Sequence, residues 1–427
     1  MSARRLIYVI GSVVAAIGIA MLAAAVVALI YQEWTEAGGI ALAAVVTTGV
    51  GGFAWRLLDR PGELTTREGF AAVGLSWFVI TLFGTLPYLF TGSFDGMTNS
   101  FFETAAGFTT TGASVVPDPA ELSHGILFWR GLTQWLGGMG IIVLSVAILP
   151  LLGTGGVQLA RAEAPGPRPD RLTPRFRETA KRLWLVYVVI TAAEVLLLLG
   201  DMTLFEAVAH AFTTMSTGGF STSADSIGAF SAYTQWVVIV FMIIAGVSFA
   251  LHYRALVLRK PIEYPRHPEF RLYALIMVAA AAVIIIGTRG GAIVRTVRDA
   301  AFTAVSLVTT TGYTTTDFAQ WAAALQIMVV GLMFVGGMAG STAGSVKVYR
   351  LGVLTSASGN DLRRLIHPRG VFVTRLGKES VPDSIVESVQ NFFLLYMFVF
   401  MTGTLIFGII ESSAGAGLDL VTSASAV

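Results

Sequence analysis

Runs of about twenty apolar residues, the length an α-helix needs to cross a bilayer at 1.5 Å per residue, recur along this chain and leave few alternatives for its fold. The windows are 6–30, 39–58, 69–90, 127–152, 183–200, 234–258, 272–288, 322–354 and 386–410, nine in all. Backbone in lipid must satisfy its own hydrogen bonds, so each is read as a helix. Composition agrees: 55% of the residues are hydrophobic and 13% charged, against roughly 25% charged in an average soluble domain. Arg4 and Arg5 precede the first window, but 6–30 is too long for the apolar core of a secretory signal and is expected to stay as an anchor.

The same composition removes several function classes. There is no cysteine, hence no disulfide framework, thiolate metal site or cysteine nucleophile. His124, His210, His252, His267 and His367 are scattered without metal-ligand spacing. The net charge of +2 is small, and neither a cofactor nor a nucleic-acid partner is implied. No catalytic chemistry is expected.

Charge placement sets an expected orientation. The connection 153–182 carries Arg161, Arg168, Arg171, Arg175, Arg177 and Lys181, and its "APGPRPDRLTP" is too rich in proline for continuous helix. The stretches 254–271 and 347–378 are similarly basic, and all three are expected on the cytoplasmic side, as is the N-terminus. Residues 91–123 and 201–233 contain no Lys or Arg but do contain Asp95, Asp118, Glu121, Asp201 and Asp225, and are expected outside. The segment 288–321 is also assigned outside, although Arg289, Arg295 and Arg298 fit that side less well.

The outer connections repeat. "FETAAGFTTTGAS" (102–114), "AHAFTTMSTGGFS" (209–221) and "FTAVSLVTTTGYT" (302–314) align on Gly112, Gly219 and Gly312. Each lies between two apolar windows, so the unit reads helix, short re-entrant helix, Thr/Ser-Gly strand, helix. Irregular backbone at membrane depth is tolerated only where protein buries it or it lines a water-filled cavity. Glycine can place carbonyls where other residues cannot, and threonine hydroxyls with successive carbonyls can replace an ion's hydration shell. The C-terminal ends of the short helices add partial negative charge, and the acidic outer residues would concentrate cations. These features together favour a cation.

One such cluster alone reads more readily as helix packing or a loop than as a filter; three in corresponding positions favour a filter. Glu103 and His210 lie on the short helices and are open to two readings, ion ligand or helix-positioning hydrogen bond, and are left out of the ion-contacting set. Phe108, Phe220 and Tyr313 are expected to pack behind the strand rather than touch an ion.

With "QWLGGMGIIVLSVAILPL" (134–151) and "GGMAGSTAGSVKVYRL" (336–351), these loops resemble the Trk/Ktr/HKT superfamily of potassium transporters over nearly the whole chain. Two additional N-terminal helices make the chain similar to the TrkH-type membrane subunit rather than the KtrB type. The resemblance implies an all-α polytopic membrane protein of four helix, pore-helix, helix units in pseudo-fourfold arrangement around one pore. It implies a homodimer in the lipid of the cytoplasmic (inner) membrane, with a cytosolic TrkA-type nucleotide-binding regulatory ring. Filter roles, with potassium as the only metal and as the transported ion, fall by resemblance on Thr109, Thr110, Thr111, Gly112 and Ala113. In the second unit they fall on Ser216, Thr217, Gly218, Gly219 and Phe220, and in the third on Thr309, Thr310, Thr311, Gly312 and Tyr313.

The resemblance also implies an intramembrane gate in the third unit, at Gly336, Gly337, Gly340, Ser341, Thr342, Gly344 and Lys347. That many glycines make a poor helix interior, at about 1 kcal/mol each relative to alanine, so a broken helix is expected. Close helix packing through small residues is the other reading of the same residues. Lys347 and Arg350 read equally as gate-associated charges or as snorkelling anchors.

The expected organisation is 1–60 for the two extra helices, then pore units 61–160, 161–260 and 261–358, and the start of a fourth at 359–427. In that fourth unit, 419–425 resembles the start of "DAAFTAVS" (299–306), and the sequence ends before a fourth glycine, so a truncated fourth unit is expected. The functional expectation is potassium uptake through a Thr/Gly filter and glycine-rich gate. A sodium- or proton-coupled secondary transporter, for which Glu194 would be the clearest intramembrane carboxyl, and a non-transporting assembly subunit are the alternatives.

Overall fold

The computed structural model describes residues 2–57, 65–148, 173–288, 292–413 and 420–425. Helices fall in all nine apolar windows, and among the described residues five are long and apolar enough to span a bilayer, or six if a bent pair is counted as one span, fewer than the nine spans expected. The chain is thus an all-α polytopic membrane protein, with one two-residue hairpin, Arg375–Leu376 with Glu379–Ser380, among the described residues. Arg289, Asp419 and the proline-rich connection as far as residue 172 lie outside the described residues. The expected loop 153–182 is shorter than its charge implied. Helix Thr173–Leu198 already includes Arg175, Arg177 and Lys181, because Pro174 falls in the first turn, where its missing N–H leaves no bond unmade.

The described residues form two compact units, Met1–Phe241 and Met242–Val427. In the first, Ala3–Ile30 and Trp34–Arg56 form an antiparallel pair through small residues. Gly51 lies so close to the backbone of Ala15 that a Cβ would collide with it, so glycine sets the approach of the two helices. Val14, Met21, Ile40, Tyr88, Phe108 and Trp129 share the core beneath this pair. The turn after the first helix presents Glu33, whose carboxylate accepts from His124 N (2.7 Å), His124 Nδ1 (2.8 Å) and Gly125 N (3.0 Å). It thereby caps helix His124–Ile148 from 91 residues away, where a negative charge also meets the positive end of the helix dipole.

Short helices alternate with longer ones along the chain, and the three expected copies are used below as labels for these stretches. Thr66–Gly84 with Leu86–Thr91, the short helix Gly96–Phe108 and His124–Ile148 form the first copy. Thr173–Leu198, Leu204–Met215 and Ala232–Ala245 form the second. The second short helix starts with a capping box in which Thr203 and Glu206 satisfy each other's backbone N–H.

In the second unit, Pro268–Gly287, Ile293–Val308 and Ala323–Met333 make the third copy, followed by Val348–Ile366 and Asp383–Ser413. The last of these exposes Leu394, Leu395, Phe398 and Met401, a face suited to lipid. Arg295 and Arg298 both lie beside Asp299 on the third short helix, at 3.5 and 3.7 Å. The window 322–354 is broken as expected, with residues 334–347 non-helical between Met333 and Val348. The window 234–258 is also broken, which its sequence did not announce: Phe249–Val257 leaves Ala232–Ala245 at 99°. Three carbonyls at that break find partners. Ile244 O accepts from His252 Nε2 (2.8 Å), Ala245 O from the Thr342 hydroxyl (3.2 Å) and Gly246 O from Met338 N (2.8 Å).

Candidate functional site

Each short helix ends in the same way. The last right-handed residue is Thr109, Ser216 or Thr309, with φ of −77°, −80° and −82°. The next residue is left-handed in every copy: Thr110 at φ 55°, Thr217 at 54° and Thr310 at 57°. Two residues on, Gly112, Gly219 and Gly312 take φ of 76°, 78° and 81°. The N–H groups of Thr111, Gly218 and Thr311 fold back onto Ala106, Thr213 and Ser306 carbonyls at 3.0, 2.9 and 2.9 Å. Glycine accepts positive φ freely, but a β-branched threonine there costs on the order of 1–3 kcal/mol. Sequence reasoning assigned the unusual backbone to the glycines alone. The threonines carry it too, and three independent copies of one costly conformation mark it as required.

Side chains complete two of the copies in the same way and the third differently. The hydroxyls of Thr109 and Thr111 lie 2.8 Å apart, as do those of Thr309 and Thr311. The second copy has Ser216, which donates to Thr213 O (3.2 Å), and Gly218 in place of the second threonine. Gln134 fills the gap. Its Nε2 donates to Gly218 O (2.8 Å) and its Oε1 accepts from Phe220 N (3.2 Å), and a Cβ on Gly218 would strike the amide. Gly112 in turn packs against the Gly218 carbonyl, with no room for a Cβ between them. The first two segments are therefore neighbours within one unit. Ala113 is exposed, whereas Phe108, Phe220 and Tyr313 are buried as expected.

The position nine residues before the first and second glycines, Glu103 and His210, braces the strand. Glu103, fully buried, accepts from the Ser114 hydroxyl (3.0 Å) and Val115 N (2.9 Å). Arg130 closes the arrangement: Nε and Nη2 reach the Glu103 carboxylate at 2.8 and 2.7 Å, and Nη2 also donates to Ser114 at 3.0 Å. His210 Nδ1 donates to Glu206 O (2.9 Å), which leaves Nε2 to accept from the Ser221 hydroxyl (3.1 Å). In the third copy, Ser306 donates instead to Tyr313 O at 2.7 Å. Of the two readings open for Glu103 and His210, these contacts match the positioning one. Arg130 and Gln134 were not singled out from the sequence; the available signal was an arginine and a glutamine one turn apart in an apolar helix.

Within the second unit, residues 334–347 fold against the third segment and the bend at 246–248. Gly344 N donates to the Thr310 hydroxyl at 2.7 Å. Met338 N bonds to Gly246 O and Phe249 N to Gly340 O at 2.8 and 3.0 Å. The buried Glu269 accepts from Ala339 N (2.7 Å) and Tyr349 N (3.1 Å), tying both ends of the stretch to one carboxylate. Gly336, Gly340, Ser345 and Lys347 have positive φ, and Gly337 packs against the Gly246 carbonyl. Ser341 and Thr342 are buried, bonded to Met338 O and Ala245 O. The Lys347 ammonium turns back to Ser341 O (3.3 Å), and Arg350 stacks over Phe392 at 4.2 Å. Both cations are thus engaged with the protein at this level.

Between the first two helices of the second copy, Asp201 accepts from Ser231 N (3.3 Å) and the Thr234 hydroxyl (2.6 Å). Hydrogen bonds from Ser231 and Thr234 hold its carboxyl below the usual carboxylate range. Among the described residues no group of three or more His, Asp or Glu side chains is arranged to hold a metal ion. What the segments offer is neutral oxygen, from carbonyls and hydroxyls, at the negative ends of three helices.

Comparison with known proteins yields concordant findings. The family model for TrkH, described as "Cation transport protein", matches residues 39–424. The Trk system potassium uptake protein TrkH of Escherichia coli K12 is 39% identical, with 94% of this chain and 85% of that protein covered. TrkH of Vibrio parahaemolyticus is 40% identical over 100% of this chain and 89% of its own length. The crystal structure of the potassium transporter TrkH from Vibrio parahaemolyticus superposes with a TM-score of 0.90 at 37% identity, covering 100% of this chain and 88% of that one.

Proposed function

Because the chain belongs to the TrkH family of cation transport proteins, we propose that it takes up potassium across the cytoplasmic membrane, with residues 109–113, 216–220 and 309–313 as ion-filter segments. It is a membrane transporter, and not an enzyme. The observation that carries the filter reading is the threefold recurrence of left-handed threonine and positive-φ glycine after each short helix. Alternating φ sign rotates successive peptide planes so that neighbouring carbonyls face one side, as replacement of a hydration shell requires. Entry would be driven by the membrane potential, worth about 2.3 kcal/mol per charge per 100 mV.

The non-helical stretch 334–347 is the gate in this reading, supported by its bond from Gly344 to Thr310. As the Trk-system names of the relatives imply, the protein works with further Trk components. The partners proposed are a second copy of the chain and a cytosolic TrkA-type nucleotide-binding ring, with the N-terminus and the basic connections on the cytoplasmic side.

The test is rubidium uptake into proteoliposomes with sodium as competitor, comparing wild type with Gly312→Ser. An added Cβ at Gly312 meets no atom within 4 Å, so the variant alters backbone preference at φ 81° without a steric clash. Uptake that resists sodium in wild type and loses that resistance in Gly312→Ser supports the filter. Unchanged resistance in Gly312→Ser rejects it.

A further inference from the structure

We propose that Arg130 and Gln134 are specificity-determining positioning residues, which hold the first and second Thr/Gly segments at a fixed separation from one face of helix His124–Ile148. The inference rests on the filter reading and adds to it residues that touch no ion.

Arg130 and Gln134 are four apart and therefore share a helix face. From that face Arg130 reaches the first copy through Glu103 and Ser114, at 2.7 to 3.0 Å. Its guanidinium also lies 4.3 Å above the ring of Phe220, in the second copy. Gln134, one turn on, holds the second copy alone, by a donor to Gly218 O and an acceptor from Phe220 N. The two segments meet where Gly112 abuts the Gly218 carbonyl. A single rigid helix thus references both walls at their point of contact.

Three features argue that geometry, rather than stability, is what this pair of residues supplies. The Arg130–Glu103 pair is buried, with side chains 2% and 0% exposed, and a buried ion pair is seldom worth more than well-packed apolar side chains. Arg130 Nη1 has no hydrogen-bond partner among the described residues, a cost that an apolar replacement would not incur. The pair is also electrically neutral as a unit, so it can stand beside a cation pathway without repelling the ion. Lysine could supply the charge but not the planar fork that meets Glu103, Ser114 and Phe220 together. Gln134, for its part, occupies the space beside Gly218 where the other copies carry the Thr111 and Thr311 side chains, and bonds the Gly218 carbonyl instead of a neighbouring hydroxyl. Discrimination between ions that differ by fractions of an ångström depends on such bracing.

The experiment measures rubidium uptake and sodium competition for Arg130→Lys, Gln134→Ala and the double variant Gln134→Ala with Gly218→Thr, alongside folded yield and thermal midpoint in detergent. Arg130→Lys and Gln134→Ala should each lower resistance to sodium about tenfold, the scale of one lost buried hydrogen bond, while the thermal midpoint falls by no more than a few degrees and uptake persists. Adding Gly218→Thr to Gln134→Ala, which gives the second copy the side chain found in the others, should restore most of the resistance. If both single variants keep wild-type resistance, or lose uptake and thermal midpoint together with the ratio unchanged, the inference is overturned. Should Arg130→Lys fail to fold, the Gln134 and Gly218 pair decides. Gly312→Ser, in a copy that neither residue touches, runs in parallel: if it too keeps sodium resistance, the filter reading itself fails and the inference falls with it.

Discussion

The hydroxyl oxygen of Thr310 accepts a hydrogen bond from the backbone N–H of Gly344 at 2.7 Å. Thr310 is the left-handed residue of the third Thr/Gly segment, and Gly344 lies in the non-helical stretch that interrupts the following helix. One oxygen is therefore shared between the segment proposed to bind ions and the stretch proposed to obstruct them.

Replacing Thr310 by valine removes the acceptor with little change in shape and strands the Gly344 N–H. A net hydrogen bond of about 1 kcal/mol corresponds to roughly fivefold faster local opening. Amide hydrogen exchange of residues 334–347 should accelerate by that factor in Thr310→Val. Exchange at the wild-type rate would mean that the bond does not restrain the stretch.

Glu33 offers a test of the N-terminal helix pair. Its carboxylate supplies the cap for helix His124–Ile148, and loss of a cap costs about 1 kcal/mol. Glu33→Ala should lower the thermal midpoint in detergent by a few degrees while leaving sodium competition as in wild type. A midpoint equal to wild type would show that water replaces the cap.

Asp201 links stability to pH. Its folded pKa is depressed by the Ser231 and Thr234 hydrogen bonds, so its contribution is fully present above the unfolded carboxylate pKa of about 4 and is lost as pH falls through the folded value. The thermal midpoint of wild type should exceed that of Asp201→Asn at pH 7, with the gap closing on acidification below about pH 4. Because Asp201 is exposed, the gap should be small. A gap that stays constant from pH 7 to pH 3 would point to a steric origin.

Which of these features could be read from the sequence follows from how each is encoded. The spans were legible because lipid demands long uninterrupted apolar runs, and the Thr/Gly copies because the same residue types recur at one spacing. The break at 334–347 was legible because four glycines fall between Gly336 and Gly344. The break after Ala245 was not: only Gly246 and Ser248 mark the bend itself, and what holds it is tertiary, namely partners for the Ile244, Ala245 and Gly246 carbonyls supplied from elsewhere in the chain. Left-handed Thr110, Thr217 and Thr310 run against local propensity, so no propensity argument finds them. Arg130 and Gln134 become meaningful only when Glu103 and Gly218 are seen beside them.

The two breaks of the second unit are stitched to each other, Met338 N to Gly246 O and Phe249 N to Gly340 O. A pair of crossed backbone bonds behaves as a mechanical coupling: neither bend can straighten while the other keeps its shape. Force applied along Phe249–Val257, far in sequence from the glycine-rich stretch, would therefore arrive at residues 338–340 as displacement. Opening the stretch would in turn tug on that arm, so that the same linkage carries a command in one direction and a report of its execution in the other.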